Sequence, residues 1–453
     1  MSDPNTTELH TLTSSPPHDI EQPPLPPTDR GKDAWLMLAS CGLIQMPVWG
    51  FSLVFGIFQE YFMTHDQLKG SKGDLAIVGT TSTGILYLLS PVTFTLLTRY
   101  PYLQKYCATF GLFLSVGGSL LSSFSVYVWH LILTQGVICA VGNGLLFSPT
   151  TLYLDQWFVR RKGLAYGIMW AAKSACGVAL PFAARVCLER WGPRITLQAW
   201  SITTLLSTVA ALPFVKPRIP PASSTSARPL DLSFLKLSTF WLLQVGNIIQ
   251  SFGYFLPTTY LPSYSTAAAG LPDTAGTLLV ALFNATSVFG GIALGTLCDR
   301  FAVTNIMLLS SVGSALSVFL FWGLASSRES AAPTSSYSHA AMTLLIMFSI
   351  SYGFFAGGFS STWSGVTTQI KRDRPSLDTG LVFGLLAGGR GIGNVISGPL
   401  STALIKRGSV AGGEHGGTGY TTEYGALIVF TGVTAFLGAW SWMWRYLTLC
   451  YSR

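Results

Sequence analysis

The chain has 453 residues, of which 49% are hydrophobic and only 10% are charged, and its formal net charge at pH 7 is +8. Soluble proteins carry roughly a quarter charged residues, so this composition excludes a soluble multidomain enzyme. The few charges fall in short clusters between apolar runs of about 20 residues, the length that crosses roughly 30 Å of hydrocarbon. The sequence therefore predicts an all-α, polytopic membrane protein.

The first 33 residues differ from the rest of the chain. They contain many Ser, Thr and Pro residues and no apolar periodicity, a composition typical of disordered segments. They also lack the apolar stretch of a cleavable signal peptide. We predict a disordered cytosolic tail over residues 1–33, and we expect the first span to direct membrane insertion.

Twelve apolar segments follow the tail. A polar, proline-rich stretch divides them six and six, which predicts an N-terminal half over 34–215, a cytosolic linker over 216–238, a C-terminal half over 239–446 and a short cytosolic tail over 447–453. Prolines and glycines inside the segments argue little against helix, because neighbouring helices can satisfy the freed backbone groups. The predicted spans are residues 34–58, 74–97, 106–126, 130–153, 163–187, 195–215, 239–262, 274–298, 304–325, 339–369, 378–404 and 423–446.

Lys and Arg residues are distributed unequally between the two sides of these spans. With the N-terminus in the cytosol, the cytosolic segments carry 17 of them and the outer loops carry seven, while Lys173, Arg185 and Arg390 lie inside spans. Cytoplasmic loops of membrane proteins carry an excess of positive residues, so the bias predicts that both termini are cytosolic. Attraction to anionic lipid then explains the net positive charge without a nucleic-acid partner.

Several motifs resemble those of a known transporter family. "DRGKDAWLML" precedes the first span, "GLLFSPT" closes the fourth, "QWFVRRKGLAYGIMWAAKSACG" enters the fifth, and "GFFAGGFSSTWSG" lies in the tenth. The matching positions in the first and third of these are Asp29, Gly31, Ala34, Trp35, Phe158, Arg160, Arg161, Leu164, Ala165, Gly167, Ser174 and Gly177.

These motifs are similar to those of the fungal, monocarboxylate-transporter-like branch of the major facilitator superfamily, over essentially the whole chain after residue 28. The resemblance implies two six-helix halves that give alternating access to a central site. Many members of this branch export secondary metabolites, so the resemblance favours an efflux carrier.

A second group of residues is expected at the cytosolic ends of the helices. "GGIALGTLCDRF" places small residues at Gly291 and Gly295, which would let two helices approach closely, and it ends in Asp299 and Arg300. The motif resembles the facilitator loop in which such an acid meets the positive N-terminus of a neighbouring helix and latches one conformation. The loop between the second and third spans, "TLLTRYPYLQKY", lacks the acid. The candidate gating residues are Asp299, Arg300, Arg160 and Arg161, although a topology anchor also explains the two arginines of "RRKG".

Two cations are predicted near the middle of the membrane. Arg390 lies 12 residues, or about 18 Å, into its span, and Lys173 lies about 15 Å into the fifth span from the same side, whereas Arg185 falls at the outer interface. No Asp or Glu occupies a span interior. Since an intramembrane charge usually marks a substrate pathway, the two residues predict an anion site in which Arg390 holds a carboxylate bidentately.

Other roles stay open for these residues. Arg390 could bond to carbonyls of its glycine-rich helix and brace it, and Lys173 could be a cavity lysine peculiar to this chain. Neutral polar residues in the spans could either join helices or line the cavity; these are Asn143, Asn247, Asn284, Gln244 and Gln250. The candidate substrate-binding residues are Arg390, Lys173, Asn284 and Asn143.

The chain departs from the animal relatives of the family it resembles, which have a lysine in the first span and an acid–arginine pair in the eighth. Here the first span has no lysine, and Asn284 is followed four residues later by Val288. Proton coupling through that pair is therefore not carried over. Either a coupled proton moves on Lys173 or on the substrate itself, or transport is not coupled to protons.

The remaining function classes fit less well. The sequence shows no catalytic His, acidic or Ser–His–Asp cluster and no metal-ligand spacing, so we predict neither an enzyme nor a bound metal or cofactor. A channel would need a repeated filter sequence, and a transporter-like sensor would need a long cytosolic extension. Uptake of a monocarboxylate or of a neutral solute such as a vitamin is the alternative to export. We expect a monomer whose partners are the bilayer and a small organic anion, in the plasma membrane or an organelle membrane.

Overall fold

The computed structural model describes residues 25–65, 68–70, 75–219, 228–325, 335–410 and 418–444. These parts of the chain are predominantly helical, and eight of their helical segments are long and apolar enough to cross a membrane. The predicted all-helical membrane fold class is thereby confirmed. Most of the predicted tail over 1–33 and all of the tail over 447–453 lie outside the described residues.

In the described residues of the first half, the chain forms six α-helices. The fourth is short and continues through a π-helical segment, Ile132–Cys139, directly into the fifth. The helices are α1 (Lys32–His65), α2 (Leu75–Arg99), α3 (Gln104–Ser122), α4 (Val128–Leu131), α5 (Ala140–Trp157) and α6 (Lys162–Ala211).

Eight α-helices occur in the part of the second half that the structure describes. The seventh and tenth predicted spans are interrupted. A turn at Phe255 separates α7 from α8, and a 3-10 helix, Phe359–Thr362, lies between α11 and α12. The helices are α7 (Ser238–Tyr254), α8 (Leu256–Ala267), α9 (Asp273–Cys298), α10 (Val303–Leu316), α11 (Ser335–Gly357), α12 (Trp363–Asp373), α13 (Thr379–Arg407) and α14 (Gly425–Leu437).

Helix α6 contains both the fifth and the sixth predicted spans, separated by one non-helical residue. Gly192 has φ 74° and ψ 173°, a conformation open to glycine but costly for other residues, and Pro193 then starts the next helical turn with a fixed φ. The two arms fold back on each other, since Leu180 and Trp200 both approach Gly50. The expected outer loop is therefore reduced to a single break.

Within the described residues, buried apolar side chains of the two halves share one cluster. A shared cluster contains Phe147 and Trp170 from the first half and Trp363 and Phe383 from the second, and the rings of Trp170 and Trp363 meet edge to face with centroids 6.0 Å apart. At the other end each half has an apolar cluster of its own. The shared cluster lies at the end that the charge pattern predicts to be cytosolic.

Candidate functional site

Arg390 lies on α13 with its side chain fully buried. Its Nη1 donates a hydrogen bond of 3.2 Å to Oε1 of Gln250, whereas Nε and Nη2 have no hydrogen-bond partner. Within the described part of the chain it forms no ion pair with a carboxylate and no hydrogen bond to a backbone carbonyl, as a brace would require. Burying such a charge is costly unless a ligand supplies the missing acceptors.

Aromatic rings surround the Arg390 guanidinium. Its Cζ lies 4.0 Å from the ring centroid of Tyr254, 5.6 Å from that of Phe255 and 5.8 Å from that of Trp363. The hydroxyl of Tyr87, on α2, also lies close enough to interact with the guanidinium. The electron-rich faces of these rings offset part of the hydration that the cation loses on burial.

Lys173, on α6, enters the same aromatic enclosure from the first half of the chain. Its Nζ lies 4.8 Å from the ring centroid of Trp49 and 5.5 Å from that of Trp170, and its side chain is partly exposed. The charges of Lys173 and Arg390 repel each other. The fold thus brings the two predicted cations together, and an anion between them would relieve the repulsion.

Three amide side chains on one face of α7 contact α13. Gln244 Nε2 and Asn247 Nδ2 donate hydrogen bonds of 2.8 Å to the backbone carbonyls of Leu385 and Leu386, and Gln250 is the acceptor for the buried guanidinium. A spacing of three residues keeps the amides on one side of the helix. These contacts support the alternative in which the neutral polar residues of α7 join helices.

Within the described residues, Asn143 and Asn284 bond to helices rather than to Lys173 or Arg390. Asn143 donates to the backbone carbonyl of Val48 at 3.1 Å and accepts from the Ser115 hydroxyl at 2.7 Å, so it joins α1, α3 and α5. Asn284 donates to a carbonyl one turn earlier in its own helix and packs against Gly177 of α6. Both therefore contact helices, whereas Arg390 retains unused hydrogen-bonding capacity.

A second group of polar residues meets at the N-terminus of α6. The Asp299 carboxylate, just after α9, accepts from the backbone N–H groups of Gly163 at 2.6 Å and Leu164 at 2.9 Å. Asp29, just before α1, accepts from the backbone N–H groups of residues 159–161 at 2.8–3.3 Å. The first N–H groups of a helix have no partner within it, and its dipole favours an anion there. The contact implied for Asp299 is present, and Asp29 was not expected to take part.

Solvation and hydrogen bonding act in opposite directions on Asp299. Its loss of hydration at the helix junction raises the pKa of the carboxyl, and the N–H donors of Leu164 and Gly163 counteract that rise. The ionised form is the one that the two donors favour. The contact thus depends on a charged Asp299.

Glycines allow α6 and α9 to cross closely beside Asp299. A Cβ atom on Gly163 would overlap the carbonyl oxygen of Gly295, and one on Gly167 would overlap the carbonyl oxygen of Gly291. The close approach predicted for Gly291 and Gly295 is confirmed. Their partners, Gly163 and Gly167, belong to the motif that enters the fifth predicted span, in the other half of the chain.

Asp155 provides a further connection at this end that the sequence did not reveal. It ends α5, forms an ion pair with Lys162 and accepts a hydrogen bond from the Thr379 hydroxyl at the start of α13. The carboxylate of Asp378 caps α13 through the N–H of Gly380 at 2.9 Å. Asp155 and Asp378 thus supply acidic contacts at the start of α13, an arrangement that only the folded structure makes visible.

The arginines predicted to act at the gate have exposed side chains. Arg160 and Arg161 meet Asp29 through their backbone N–H groups, and Arg300 borders a cleft beside Asp299. Arg185, expected at the outer interface, is exposed and pairs with Glu189 at 3.2 Å. The topology-anchor interpretation of the two arginines of "RRKG" is compatible with these positions.

Comparison with known families identifies the architecture. The sequence model of the Major Facilitator Superfamily matches residues 38–376, about three quarters of the chain. The chain belongs to the Major Facilitator Superfamily. It is therefore a multi-pass membrane transporter, and its glycine crossing and capped α6 belong to a facilitator fold.

Curated relatives and solved structures agree with this assignment. The chain is 29% identical over 388 residues to the MFS-type transporter pynF of Aspergillus niger, covering 84% of each protein. It is 27% identical to the fujikurins efflux protein of Gibberella fujikuroi, covering 91% of this chain and 82% of the relative. It is 25% identical to the aspyridones efflux protein apdF of Emericella nidulans, covering 93% and 80%. A bacterial homologue of the iron transporter ferroportin, in an outward-facing state, matches with a TM-score of 0.62 at 14% identity over 90% of this chain and 98% of that one, a likeness of fold alone.

Proposed function

We propose that this transporter exports a small organic anion, most simply a carboxylate-bearing secondary metabolite, by alternating access. The observation that carries the proposal is the pairing of Arg390 and Lys173 in one aromatic enclosure between the halves, with Nε and Nη2 of Arg390 unpaired. A guanidinium and a carboxylate form two parallel hydrogen bonds. The ligand then supplies the negative charge that the described part of the protein does not.

The direction of transport is proposed from the relatives. Two of them are efflux proteins by name, one for fujikurins and one for aspyridones. Their similarity extends over most of this chain, and the sequence motifs resemble the monocarboxylate-transporter-like branch. Together these likenesses favour export over uptake of a monocarboxylate or a neutral solute.

The proposed architecture has twelve spans in two halves of six, with both termini and the linker over 216–238 in the cytosol. The fourteen helices of the described residues are compatible with this count, since α6 contributes two spans, one on either side of Gly192, while α4 with α5, α7 with α8 and α11 with α12 each form one. The transporter is proposed to act as a monomer at the plasma membrane, where export clears the product from the cell.

The end that carries Asp29 and Asp299 is proposed to be the cytosolic gate. A closed state of this gate is supported by the shared apolar cluster and the two capping carboxylates, which hold both halves to the start of α6. Opening toward the cytosol requires Asp299 to leave the backbone of Gly163 and Leu164. Binding at the cation pair and closure of this gate are then separate steps of one cycle.

The proposal is tested by comparing metabolites of a deletion strain with those of its parent, inside the cells and in the medium. We expect an acidic compound to accumulate inside and to fall in the medium. The purified transporter in proteoliposomes should then carry this compound and fail to carry its amide. Accumulation of a neutral compound, or equal transport of acid and amide, would show that the site is not an anion receptor.

A further inference from the structure

The hydrogen bonding of Arg390 leaves one particular edge of its guanidinium free. Nη1 is bonded to Gln250, and Nε and Nη2 are the two nitrogens without partners. The N–H bonds of Nε and Nη2 point in parallel along the side of the group. This edge matches the spacing of two oxygens in a planar anion.

Two contacts set the orientation of that edge. The Tyr254 ring lies against the guanidinium, with Cζ 4.0 Å from its centroid, and limits the plane of the group. The bond from Nη1 to Gln250 limits its rotation within that plane. Gln250 is itself only 2% exposed and belongs to the helix whose amides bond to α13, so its own position is well determined. A donor group held in this way loses little entropy when the ligand binds.

We infer that Gln250 is a positioning residue that presents the Nε–Nη2 edge of Arg390 to the substrate, and that the site selects anions with two coplanar oxygens on a flat, unsaturated body. This inference rests on the proposed anion export. Carboxylates and the enolates of acidic 1,3-dicarbonyl groups have such oxygens. The rings of Tyr254 and Trp363 favour a flat body, and Lys173 adds a second positive charge to the same aromatic enclosure.

A site of this kind should distinguish between a carboxylate, a sulfonate and a carboxamide on the same aromatic body. A sulfonate carries its charge on three oxygens arranged as a pyramid, so it fits a planar edge less well than a carboxylate does. A carboxamide turns an N–H group toward one of the donors and leaves that donor unpaired. Matched aromatic probes with these groups therefore report on the edge itself.

The first experiment uses Gln250→Glu in the purified full-length protein. The new carboxylate would lie beside a buried cation and become its counter-ion, so without ligand the melting temperature should rise by about 2–4 °C. Millimolar 2-naphthoate should raise the melting temperature of the wild type above its value without ligand. In Gln250→Glu the internal carboxylate competes for the same cation, and the affinity for 2-naphthoate should fall by about 10- to 150-fold.

The second experiment separates positioning from simple support. Gln250→Leu frees the guanidinium to rotate, so 2-naphthoate should bind about tenfold more weakly and its preference over 2-naphthalenesulfonate should disappear. Gln244→Leu, which removes a neighbouring amide that bonds to the backbone at Leu385 and to Asn247 but not to Arg390, should lower the melting temperature but keep the preference. Equal preferences in the two leucine variants would show that Gln250 is only structural.

The remaining outcomes distinguish this inference from the proposed function. If Arg390→Met abolishes export of the compound that accumulates in the deletion strain, but Gln250→Glu binds 2-naphthoate as the wild type does, the assignment of the edge is wrong and anion export stands. If 2-naphthoate fails to stabilise the wild type, the planar-anion class is wrong. If Arg390→Met exports that compound normally, the proposed function itself is wrong.

Discussion

Arg390 carries a buried charge that the described part of the protein balances with one hydrogen bond and several aromatic rings. Such a residue lowers the stability of the empty protein, because removing a cation from water costs several kcal/mol. Proteins tolerate destabilising groups of this kind where function needs them. The free-energy cost of burying the Arg390 guanidinium therefore supports the proposal that it binds an anion.

Replacing Arg390 separates binding from folding. Arg390→Ala should abolish transport while the protein still reaches its membrane, and Arg390→Lys should restore only part of it, because an ammonium lacks the planar arrangement of donors. Losing one charge-assisted pair should cost about 1.5–3 kcal/mol, or roughly 10- to 150-fold in affinity. The measurement is transport in proteoliposomes beside surface expression. An alanine variant that fails to fold would identify a brace, and one that transports normally would exclude an anion receptor.

The sequence located the two cations but not their surroundings. Arg390 and Lys173 are conspicuous because a charge in an apolar run needs a reason, and their depth follows from counting residues along a helix. The contacts of Arg390 with Gln250 and Tyr254, and of Lys173 with Trp49, depend on how each helix is rotated and on which helices are neighbours. A single sequence does not contain that information in any local pattern.

The start of α6 is the element on which both halves converge. Asp29 and Asp299 bond to successive backbone N–H groups there, and Asp155 links the end of α5 to the start of α13. Asp299 was predictable because it lies in a motif. Asp155 was not, since an acid at the end of a span is ordinary until its partners are known.

Neutralising Asp299 should weaken this junction. Asp299→Asn keeps the size of the side chain but removes its charge, which is worth about 0.3–1 kcal/mol at an exposed helix terminus and up to about 2 kcal/mol when partly buried. We expect a changed transport rate with nearly unchanged substrate affinity, measured by transport and equilibrium binding on the same preparation. Glu189→Gln, which breaks an exposed ion pair elsewhere on α6, is the control and should change neither. A large affinity loss in Asp299→Asn would place Asp299 in the binding site instead.

A glycine-to-alanine substitution should have opposite effects at the crossing of α6 and α9 and at a control position on α3. Gly295→Ala puts a methyl group against the carbonyl of Gly163 and should destabilise the protein by about 1–3 kcal/mol. Gly117→Ala, where a Cβ would meet nothing within 4 Å, should be neutral or stabilising by up to about 1 kcal/mol, because alanine favours helix. Thermal unfolding of both variants in detergent provides the comparison. Equal melting temperatures would mean that the crossing is looser than the structure shows.

The whole molecule follows the predicted plan of apolar helices, but the structure changes how the spans are joined. Hydropathy and length were sufficient to identify the segments, because the bilayer fixes both. They were not sufficient to show that Gly192 alone separates two spans or that α11 ends before Trp363. Those breaks depend on one residue's backbone conformation and on packing against neighbouring helices.

The predicted orientation can be tested with two matched serine-to-cysteine changes in a cysteine-depleted background. Ser238 at the start of α7 and Ser409 after α13 are both exposed, and the charge pattern places them on opposite sides of the membrane. An impermeant maleimide should label Ser409→Cys in intact cells and Ser238→Cys only after permeabilisation. The reverse pattern would invert the topology, and with it the side on which the gate lies.

The shared apolar cluster has a consequence for how the transporter responds to concentration. In the proposed orientation, with this end facing the cytosol, the cluster must part before substrate can enter, so only the fraction of molecules in which it has parted is able to load. The apparent affinity from inside is then the intrinsic affinity reduced by that fraction, about 100-fold if one molecule in about 100 is open. Export would remain slow while the product is scarce and would increase as it accumulates. The threshold for secretion would thus be set by side chains such as Phe147 and Phe383, which need never touch the compound that is secreted.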